Sequence, residues 1–194
     1  MLALVLDMDG TLVASSAGTC RARPHLVAFL EYVFRECGVV GIWTAASPTW
    51  YELVYTAVLR PALVEVSARL GVECSFSFVW TYRRCTHTYE NRDECVTTKR
   101  LHKLWRRRSG IFRAIRRENT LVVDDTASTF AANYGNAIHV REYDPDADDG
   151  DDGDDGDDDE LLMLQRFIAL VLEHYTRTGT VRTFDKRRWR TRVQ

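Results

Sequence analysis

Residues 2–13 of the chain read LALVLDMDGTLV. The first half of this stretch is an apolar run that ends in Asp7, a pattern typical of a strand buried on both faces of a parallel sheet. A second acid, Asp9, comes two residues later, and Gly10 favours a loop directly after it. The pattern therefore predicts a buried strand whose carboxyl end carries two acidic side chains.

Strands and helices alternate along the rest of the chain. Apolar runs predict three more buried strands, at 39–44, 120–125 and 137–140. Apolar residues at helical spacing predict helices that begin at Pro24 and at Ser47, and another at 161–175. Because the two kinds of element alternate, we predict a single α/β domain over residues 1–194, with a Rossmann-like parallel sheet and flanking helices.

Two segments are less regular. Residues 74–96 contain only short β-like pieces, and we expect them to form a small antiparallel β insertion. Residues 99–117 hold nine basic residues and no acid, and we expect a helix there. Such a charge run is typical of a solvated helix face, or of a surface that attracts acidic or phosphorylated protein.

The formal net charge of −2 for the 194 residues is a cancellation. Residues 146–160 contain ten Asp and one Glu, so the other 179 residues carry 17 acids against 26 bases, a net charge of about +9. Acids spaced by glycine cannot bury a core, and we therefore predict a disordered acidic loop at 146–160. No run of some twenty uncharged apolar residues exists, so no membrane contact is expected.

The five cysteines form no C-x-x-C pair, and their odd number argues against a disulfide framework. The spacing of Cys85, His87 and Cys95 fits no common zinc finger. We therefore expect reduced cysteines and a reducing compartment, the nucleus or the cytoplasm.

Polar side chains lie at the ends of three predicted strands: Asp7 and Asp9, Thr44, and the pair Asp124 and Asp125. Ligands of parallel α/β sheets bind beyond the carboxyl ends of the strands, where these side chains converge. Clustered carboxylates repel one another unless a cation lies between them, and oxygen ligands favour Mg²⁺. A carboxylate cluster with Mg²⁺ suits phosphoryl transfer.

Phosphoryl transfer also needs a cation from the protein. The chain has only three lysines against 23 arginines, and two of them, Lys99 and Lys103, precede the predicted strand at 120–125. Either could be a phosphate ligand, and either could be a solvated helix residue.

Several segments resemble one family of enzymes. DMDGTLV at 7–13 resembles motif I of the haloacid dehalogenase superfamily, D-x-D-x-T-L/V. RPHLVAFL at 23–30 and WTAA at 43–46 resemble segments of the phosphatases that act on the C-terminal domain (CTD) of RNA polymerase II, the FCP/SCP-type branch. The segments at 99–105 and 119–125 resemble the CTD phosphatases that also carry a ubiquitin-like domain. The resemblance covers nearly the whole chain and implies a HAD-like fold.

The resemblance also implies roles for individual residues. Asp7 would be the nucleophile that forms an aspartyl-phosphate, and Asp9 would act as general acid and then general base. Thr44 and Lys99 would bind the phosphoryl oxygens, so the resemblance selects Lys99 from the two candidate lysines.

The implied cofactor is Mg²⁺. Its ligands would be Asp7, the backbone carbonyl of Asp9, and Asp125, with Asp124 beside it. The implied substrate is a phosphoserine or phosphothreonine protein, with the RNA polymerase II CTD as the candidate partner.

Two other functions compete with this one: a phosphatase of small metabolites, and a non-catalytic scaffold that binds phosphoproteins. Gly10 favours the first, because it is common at this position in metabolite phosphatases, whereas CTD phosphatases often have a larger residue. The scaffold is disfavoured because every residue of the implied site is present. Nucleic acid as a partner ranks below phosphoprotein, since the resemblance already requires an anionic protein substrate.

Overall fold

The computed structural model describes residues 1–16, 19–91, 94–145 and 158–194. Its strands are, in chain order, β1 (Ala3–Leu6), β2 (Val13–Ser16), β3 (Thr19–Ala22), β4 (Val39–Trp43), β5 (Phe78–Trp80), β6 (Thr86–Asn91), β7 (Glu94–Thr98), β8 (Thr120–Asp124) and β9 (Ala137–His139). Its α-helices are α1 (Leu26–Glu36), α2 (Pro48–Val54), α3 (Arg60–Leu70), α4 (His102–Trp105), α5 (Ala127–Phe130) and α6 (Glu160–Thr178).

Five strands form one parallel sheet in the order β5-β4-β1-β8-β9. Strand β1 lies in the middle, and all four of its residues are buried. The predicted α/β fold with a parallel sheet is confirmed. Since the strands are parallel, the carboxyl ends of β1, β4 and β8 lie at one edge, which is where their polar residues meet.

The alternation of side chains along β1 divides the core into two layers. Leu4 and Leu6 pack with Phe29 of α1 and Phe167 of α6 on one face of the sheet. Ala3 and Val5 pack on the other face in a smaller cluster that includes Trp43, Trp80 and Leu104. Both faces of the sheet are covered, as apolar parallel strands require.

The prediction for residues 74–96 is correct only in its second half. Strands β6 and β7 form an antiparallel hairpin, but β5 joins the edge of the parallel sheet beside β4. The helical stretch from Pro48 to Leu70 crosses from β4 to β5, and such a crossover makes the two strands parallel. A second hairpin, β2–β3, lies where we expected a loop.

The prediction of a helix at 99–117 is wrong. Only α4 and a 3₁₀ turn at Gly110–Ala114 form there. Nine cations without an acid cannot form the i,i+4 ion pairs that stabilise an exposed helix. Gly110, with φ at 55°, also takes a left-handed conformation.

Helix α6 confirms the helix predicted at 161–175 and begins one residue earlier, at Glu160. Residues 146–157 of the predicted acidic loop lie outside the described residues. The end of that tract contacts the body of the domain: Glu160 accepts a hydrogen bond from the Arg141 backbone N–H at 2.7 Å and pairs with Arg190. Within the described ranges, no helix is long and apolar enough to cross a membrane.

A buried arginine, Arg23, joins three parts of the chain. Its guanidinium donates to the carbonyl of Thr11 at 3.2 Å and to that of Arg141 at 2.9 Å, and it pairs with the Asp158 carboxylate at 2.9 Å. The arginine side chain is 0% exposed. It therefore connects the loop after β1 with the segment after β9 and with the start of α6.

We expect Arg23→Met to lower the free energy of unfolding by about 3 kcal/mol, because the methionine keeps the apolar stem and removes the donor from Asp158 Oδ2 and from the Thr11 and Arg141 carbonyls. A domain of this size loses about 2–4 °C of melting temperature per kcal/mol. Calorimetry should therefore find a melting temperature about 6–12 °C lower.

Arg35→Met is the matched control. The Arg35 guanidinium contacts Glu31 and Glu36 on the surface, with 53% of its side chain exposed. Removing such a pair costs less than about 1 kcal/mol. Equal losses in the two variants would contradict the role given to Arg23.

Candidate active site

A buried lysine bridges two of the predicted site acids. Asp7 directly follows β1, and its backbone N–H donates to the Val123 carbonyl of β8, at 2.9 Å. Lys99 Nζ lies 2.6 Å from Asp7 Oδ1 and 2.8 Å from Asp124 Oδ2. The lysine is 1% exposed, so its two ion pairs are shielded from water.

The backbone around Lys99 is held from α5 and the turn after it. The Lys99 N–H donates to the Thr129 carbonyl at 2.6 Å, and the Asn133 side chain donates to the Lys99 carbonyl. Asn133 Oδ1 also accepts the N–H of Leu101 at 3.1 Å. These bonds explain how an irregular segment still carries its ammonium group to a fixed place.

The electrostatics of the cluster are dominated by burial. Burial raises the pKa of Asp7 to about 8, an effect larger than the lowering by the Lys99 ammonium, and the Asp124 and Asp125 carboxylates add to the rise. The two carboxylates beside Lys99 raise its pKa in turn, against the effect of burial, so the lysine stays charged. The cluster thus holds more negative charge than Lys99 alone compensates.

Threonine side chains orient the two acids that end β8. Asp124 Oδ2 accepts the Thr129 hydroxyl at 2.7 Å. Asp125 Oδ1 accepts the Thr11 hydroxyl at 2.9 Å, and Asp125 Oδ2 accepts the Thr126 hydroxyl at 3.1 Å. Asp124 is fully buried behind Lys99, whereas Asp125 is partly exposed.

Three carboxylates are close enough to share one ion. Asp7, Asp124 and Asp125 each offer an oxygen within 4.8 Å of the others, and no other such group occurs among the residues that the structure describes. Carboxylate oxygens are hard donors that suit Mg²⁺. The donor set and its excess negative charge therefore fit a divalent cation.

Gly10 makes room for this cluster. Its φ of 72° is left-handed, and a Cβ at this position would lie 2.8 Å from Asp125 Oδ2. A side chain would thus be strained and would push Asp125 aside. The glycine that favoured a metabolite phosphatase in the sequence has a local structural reason here.

Asp9 is held by three neutral donors. Trp50 Nε1 donates to Asp9 Oδ1 at 2.9 Å, and the Ser15 hydroxyl donates to the same oxygen at 3.0 Å. The Thr44 hydroxyl lies 3.5 Å from Asp9 Oδ2 and also accepts the Ala46 N–H at 2.9 Å. Asp9 is therefore oriented by the β2 hairpin strand and by the first turn of α2.

A cleft of about 620 Å³ collects these groups at the carboxyl edge of the sheet. Five of the six predicted site residues line it: Asp7, Asp9, Thr44, Lys99 and Asp125. The sixth, Asp124, lies buried behind them. Lys103 is elsewhere, and its Nζ donates to the backbone carbonyls of Arg84 and Cys85.

Sequence reasoning missed the hydrogen-bonding partners of these acids. Trp50 lies in the helix predicted to begin at Ser47, and its indole N–H gave no separate signal. Ser15, Thr11 and Thr129 are ordinary hydroxyl residues in the sequence, and only proximity after folding assigns them to Asp9, Asp125 and Asp124. The side chain of His87, in the weak cysteine–histidine cluster, contacts Thr97 and the Tyr82 carbonyl.

A parallel sheet with acids, a lysine and a threonine in one cleft at its carboxyl edge has the architecture of a HAD-like phosphatase domain. The chain belongs to the family of NLI interacting factor-like phosphatases, whose family model matches residues 2–177. The predicted resemblance to CTD phosphatases of the haloacid dehalogenase superfamily is thereby confirmed at the level of the family.

Individual relatives are distant. The chain is 23% identical over 183 residues to the ubiquitin-like domain-containing CTD phosphatase 1 of Gallus gallus, and 22% identical to that of Rattus norvegicus. These alignments cover 90% of this chain and 54% of each relative, so the chain spans about half the length of the curated relatives it matches.

A solved structure has a similar fold. The structure of Fcp1, an essential RNA polymerase II CTD phosphatase, matches with a TM-score of 0.55 and 15% sequence identity. The match covers 93% of this chain and 68% of that chain. At this identity the likeness concerns the fold.

We expect Mg²⁺ to stabilise the folded chain, because three carboxylates that face one lysine bind the ion only when folded. At about 100 times its Kd, a ligand adds about 2.7 kcal/mol, which raises the melting temperature by about 5–10 °C in a domain of this size. Asp125→Asn should remove most of this rise in a thermal melt with and without Mg²⁺.

Asp144→Asn is the control, because Asp144 lines the same cleft but is not part of the carboxylate triad. We expect it to keep the rise in melting temperature. A rise of the same size in Asp125→Asn and in the unmodified chain would rule out the triad as the metal site.

Proposed function

We propose that this chain is a Mg²⁺-dependent phosphoserine/phosphothreonine protein phosphatase that acts through an aspartyl-phosphate on Asp7. The observation that carries the proposal is the meeting of Asp7, Asp9, Thr44 and Lys99 around one open cleft. Family membership supports phosphatase chemistry. The names of the curated relatives support a phosphoprotein substrate, with the RNA polymerase II CTD as the first candidate.

In the first step, a carboxylate oxygen of Asp7 attacks phosphorus, and the bond from phosphorus to the serine or threonine oxygen breaks. Lys99 contacts Oδ1 of Asp7, which leaves Oδ2 as the attacking atom. Asp9 gives its proton to the departing oxygen. Thr44 and Lys99 bind the phosphoryl oxygens and reduce their charge.

In the second step, Asp9 takes a proton from water as that water attacks the aspartyl-phosphate. The bond between phosphorus and Asp7 breaks, inorganic phosphate leaves, and Asp7 is again a carboxylate. Asp7, Asp125 and the Asp9 carbonyl would hold Mg²⁺, with Asp124 beside them. When bound, the ion supplies positive charge that keeps Asp7 ionised and neutralises the phosphoryl oxygens.

A protein substrate is favoured over a small metabolite because the cleft is open. In the described part of the chain, the insertions into the sheet fold are the short hairpins β2–β3 and β6–β7, and no domain-sized cap covers the cleft. A phosphorylated loop of a protein can reach such a cleft, whereas a small metabolite would remain exposed to water. A panel of phosphoserine peptides, CTD phosphopeptides and sugar phosphates tests the choice, and faster turnover of sugar phosphates would reverse it.

We expect Asp7→Asn to abolish hydrolysis of both p-nitrophenyl phosphate and a phosphoserine peptide, by at least about a thousandfold, because the amide is not a nucleophile. Steady-state assays measure the loss, and circular dichroism checks that the fold remains. Asp185→Asn, at an exposed aspartate outside the cleft, should keep full activity. Retained turnover in Asp7→Asn would refute the assignment of Asp7 as the nucleophile.

We expect Trp50→Phe to slow the phosphoserine peptide by up to about tenfold in kcat/KM, since losing one hydrogen bond costs about 0.5–1.5 kcal/mol. Hydrolysis of p-nitrophenyl phosphate should change much less, because nitrophenolate leaves without a proton from Asp9. The ratio of the two kcat/KM values therefore reports how well Asp9 is placed as an acid.

Trp105→Phe provides the control, because the Trp105 indole N–H donates to the Thr120 hydroxyl at 3.1 Å, outside the cleft. The ratio of kcat/KM for the two substrates in Trp105→Phe should match that of the unmodified chain. An equal slowing of both substrates in Trp50→Phe would mean that Trp50 supports the fold rather than Asp9.

A further inference from the structure

A second concave surface lies beside the catalytic cleft, and we name it the basic groove. It has a volume of about 440 Å³. Its lining includes Trp80 and the five cations Arg83, Arg84, Lys103, Arg106 and Arg107.

Hydrogen bonds and chain connectivity place the basic groove next to the cleft. The N–H of Thr44 donates to the carbonyl of Trp80 at 2.9 Å, and the N–H of Tyr82 donates to the carbonyl of Ala46 at 3.0 Å. Thr44 and Ala46 line the cleft. On the other side, α4 begins three residues after Lys99. A chain bound in the cleft therefore has the groove as its neighbour.

Among the residues that the structure describes, nothing compensates the positive charge of the groove. None of them places a carboxylate in its lining, and none forms an ion pair with its five cations. Two exposed arginines outside the groove are paired: Arg69 with Glu31 and Glu65, and Arg187 with Asp185. Five neighbouring cations repel one another, so an anion bound among them is stabilised.

Aromatic rings hold two of the guanidinium groups in place. Arg84 stacks 5.6 Å from the Trp80 ring, and Arg107 stacks 4.8 Å from the Phe112 ring. The centroids of the Trp80 and Phe112 rings are 5.8 Å apart. A stacked guanidinium keeps its N–H edge for an anion and loses little freedom on binding. Lys103 is tied to the Arg84 carbonyl at 2.8 Å, which joins α4 to the turn after β5.

We infer that the basic groove binds a second phosphoryl group on the same peptide chain as the one hydrolysed in the cleft. This inference rests on the proposed function and names its substrate class, multiply phosphorylated protein segments. A phosphate group brings about two negative charges and three acceptor oxygens, which suit several guanidinium forks better than one carboxylate does. The groove raises the affinity for such substrates and takes no part in the chemical step.

The test compares kcat/KM for peptides of one sequence. The first has a single phosphoserine. The second series has another phosphoserine about three to eight residues away on either side, since an extended chain covers about 3.3–3.6 Å per residue. The third series replaces that second phosphoserine with glutamate.

We expect the best doubly phosphorylated peptide to have a kcat/KM about tenfold above that of the single phosphopeptide, mainly through a lower KM. The advantage should shrink as salt is raised, because the groove is exposed to solvent. The double variant Arg83→Gln/Arg106→Gln should lose this advantage and keep its activity on the single phosphopeptide. Both arginines are exposed and outside the catalytic cleft, so the fold should remain.

The matched control is Arg60→Gln/Arg177→Gln, which removes the same charge from two exposed positions outside the groove. It should keep the preference. An equal loss of the preference in this control would show a general effect of net charge and overturn the inference. Equal rates for the glutamate and phosphoserine series would also overturn it, in favour of acidic peptides.

Binding separates a failure of the groove from a failure of the proposed function. If the single phosphopeptide is not hydrolysed, the proposed function fails, and fluorescence anisotropy of a labelled doubly phosphorylated peptide still tests the groove. Binding that weakens in Arg83→Gln/Arg106→Gln but not in the control supports the groove. If instead only a single-stranded RNA oligonucleotide binds in an Arg83- and Arg106-dependent way, the groove is a nucleic-acid site and the inference is wrong.

Discussion

The Lys99 ammonium between Asp7 and Asp124 is the interaction on which the rest of the site depends. Burying carboxylates costs several kcal/mol each unless a positive charge lies among them. Lys99 supplies that charge from outside the sheet, while Asp7 and Asp124 come from the neighbouring strands β1 and β8. This ion-paired arrangement therefore depends on three features: the sheet order, the bonds that hold the Lys99 backbone, and the acidic residues at the strand ends.

The site has more negative than positive charge, and this excess favours the binding of an additional cation. One ammonium faces three carboxylates, and Thr44 and Asp9 line the same cleft. The surface beside the cleft has the opposite sign, since the described lining of the basic groove has five cations and no carboxylate. The net charge of −2 hides both features, because it averages an acidic tract with a body of about +9. Local charge, rather than net charge, is what an anionic substrate meets.

The parts of the fold that the sequence predicted are those with strong periodicity. Buried strands such as β1 and β8 have continuous apolar runs, and α6 has a clear apolar face, so both kinds of element were predictable. The helix predicted at 99–117 was wrong. The charges of this segment are typical of an exposed helix face, but without acids they cannot form the ion pairs that stabilise a helix. Strand β5 was misplaced because a three-residue strand has the same local pattern in a parallel sheet as in an antiparallel hairpin.

The candidate site divides in the same way. The acids at 7, 9, 124 and 125 could be named from the sequence, because the carboxyl ends of parallel strands meet whatever the loops do. Lys99 could not be separated from Lys103 by spacing, since both precede the same strand, and only a family resemblance chose between them. Its burial between two carboxylates, the indole of Trp50 on Asp9 and the basic groove depend on contacts between residues far apart in the chain. Local sequence carries no record of such contacts, because they form only when packing brings the segments together.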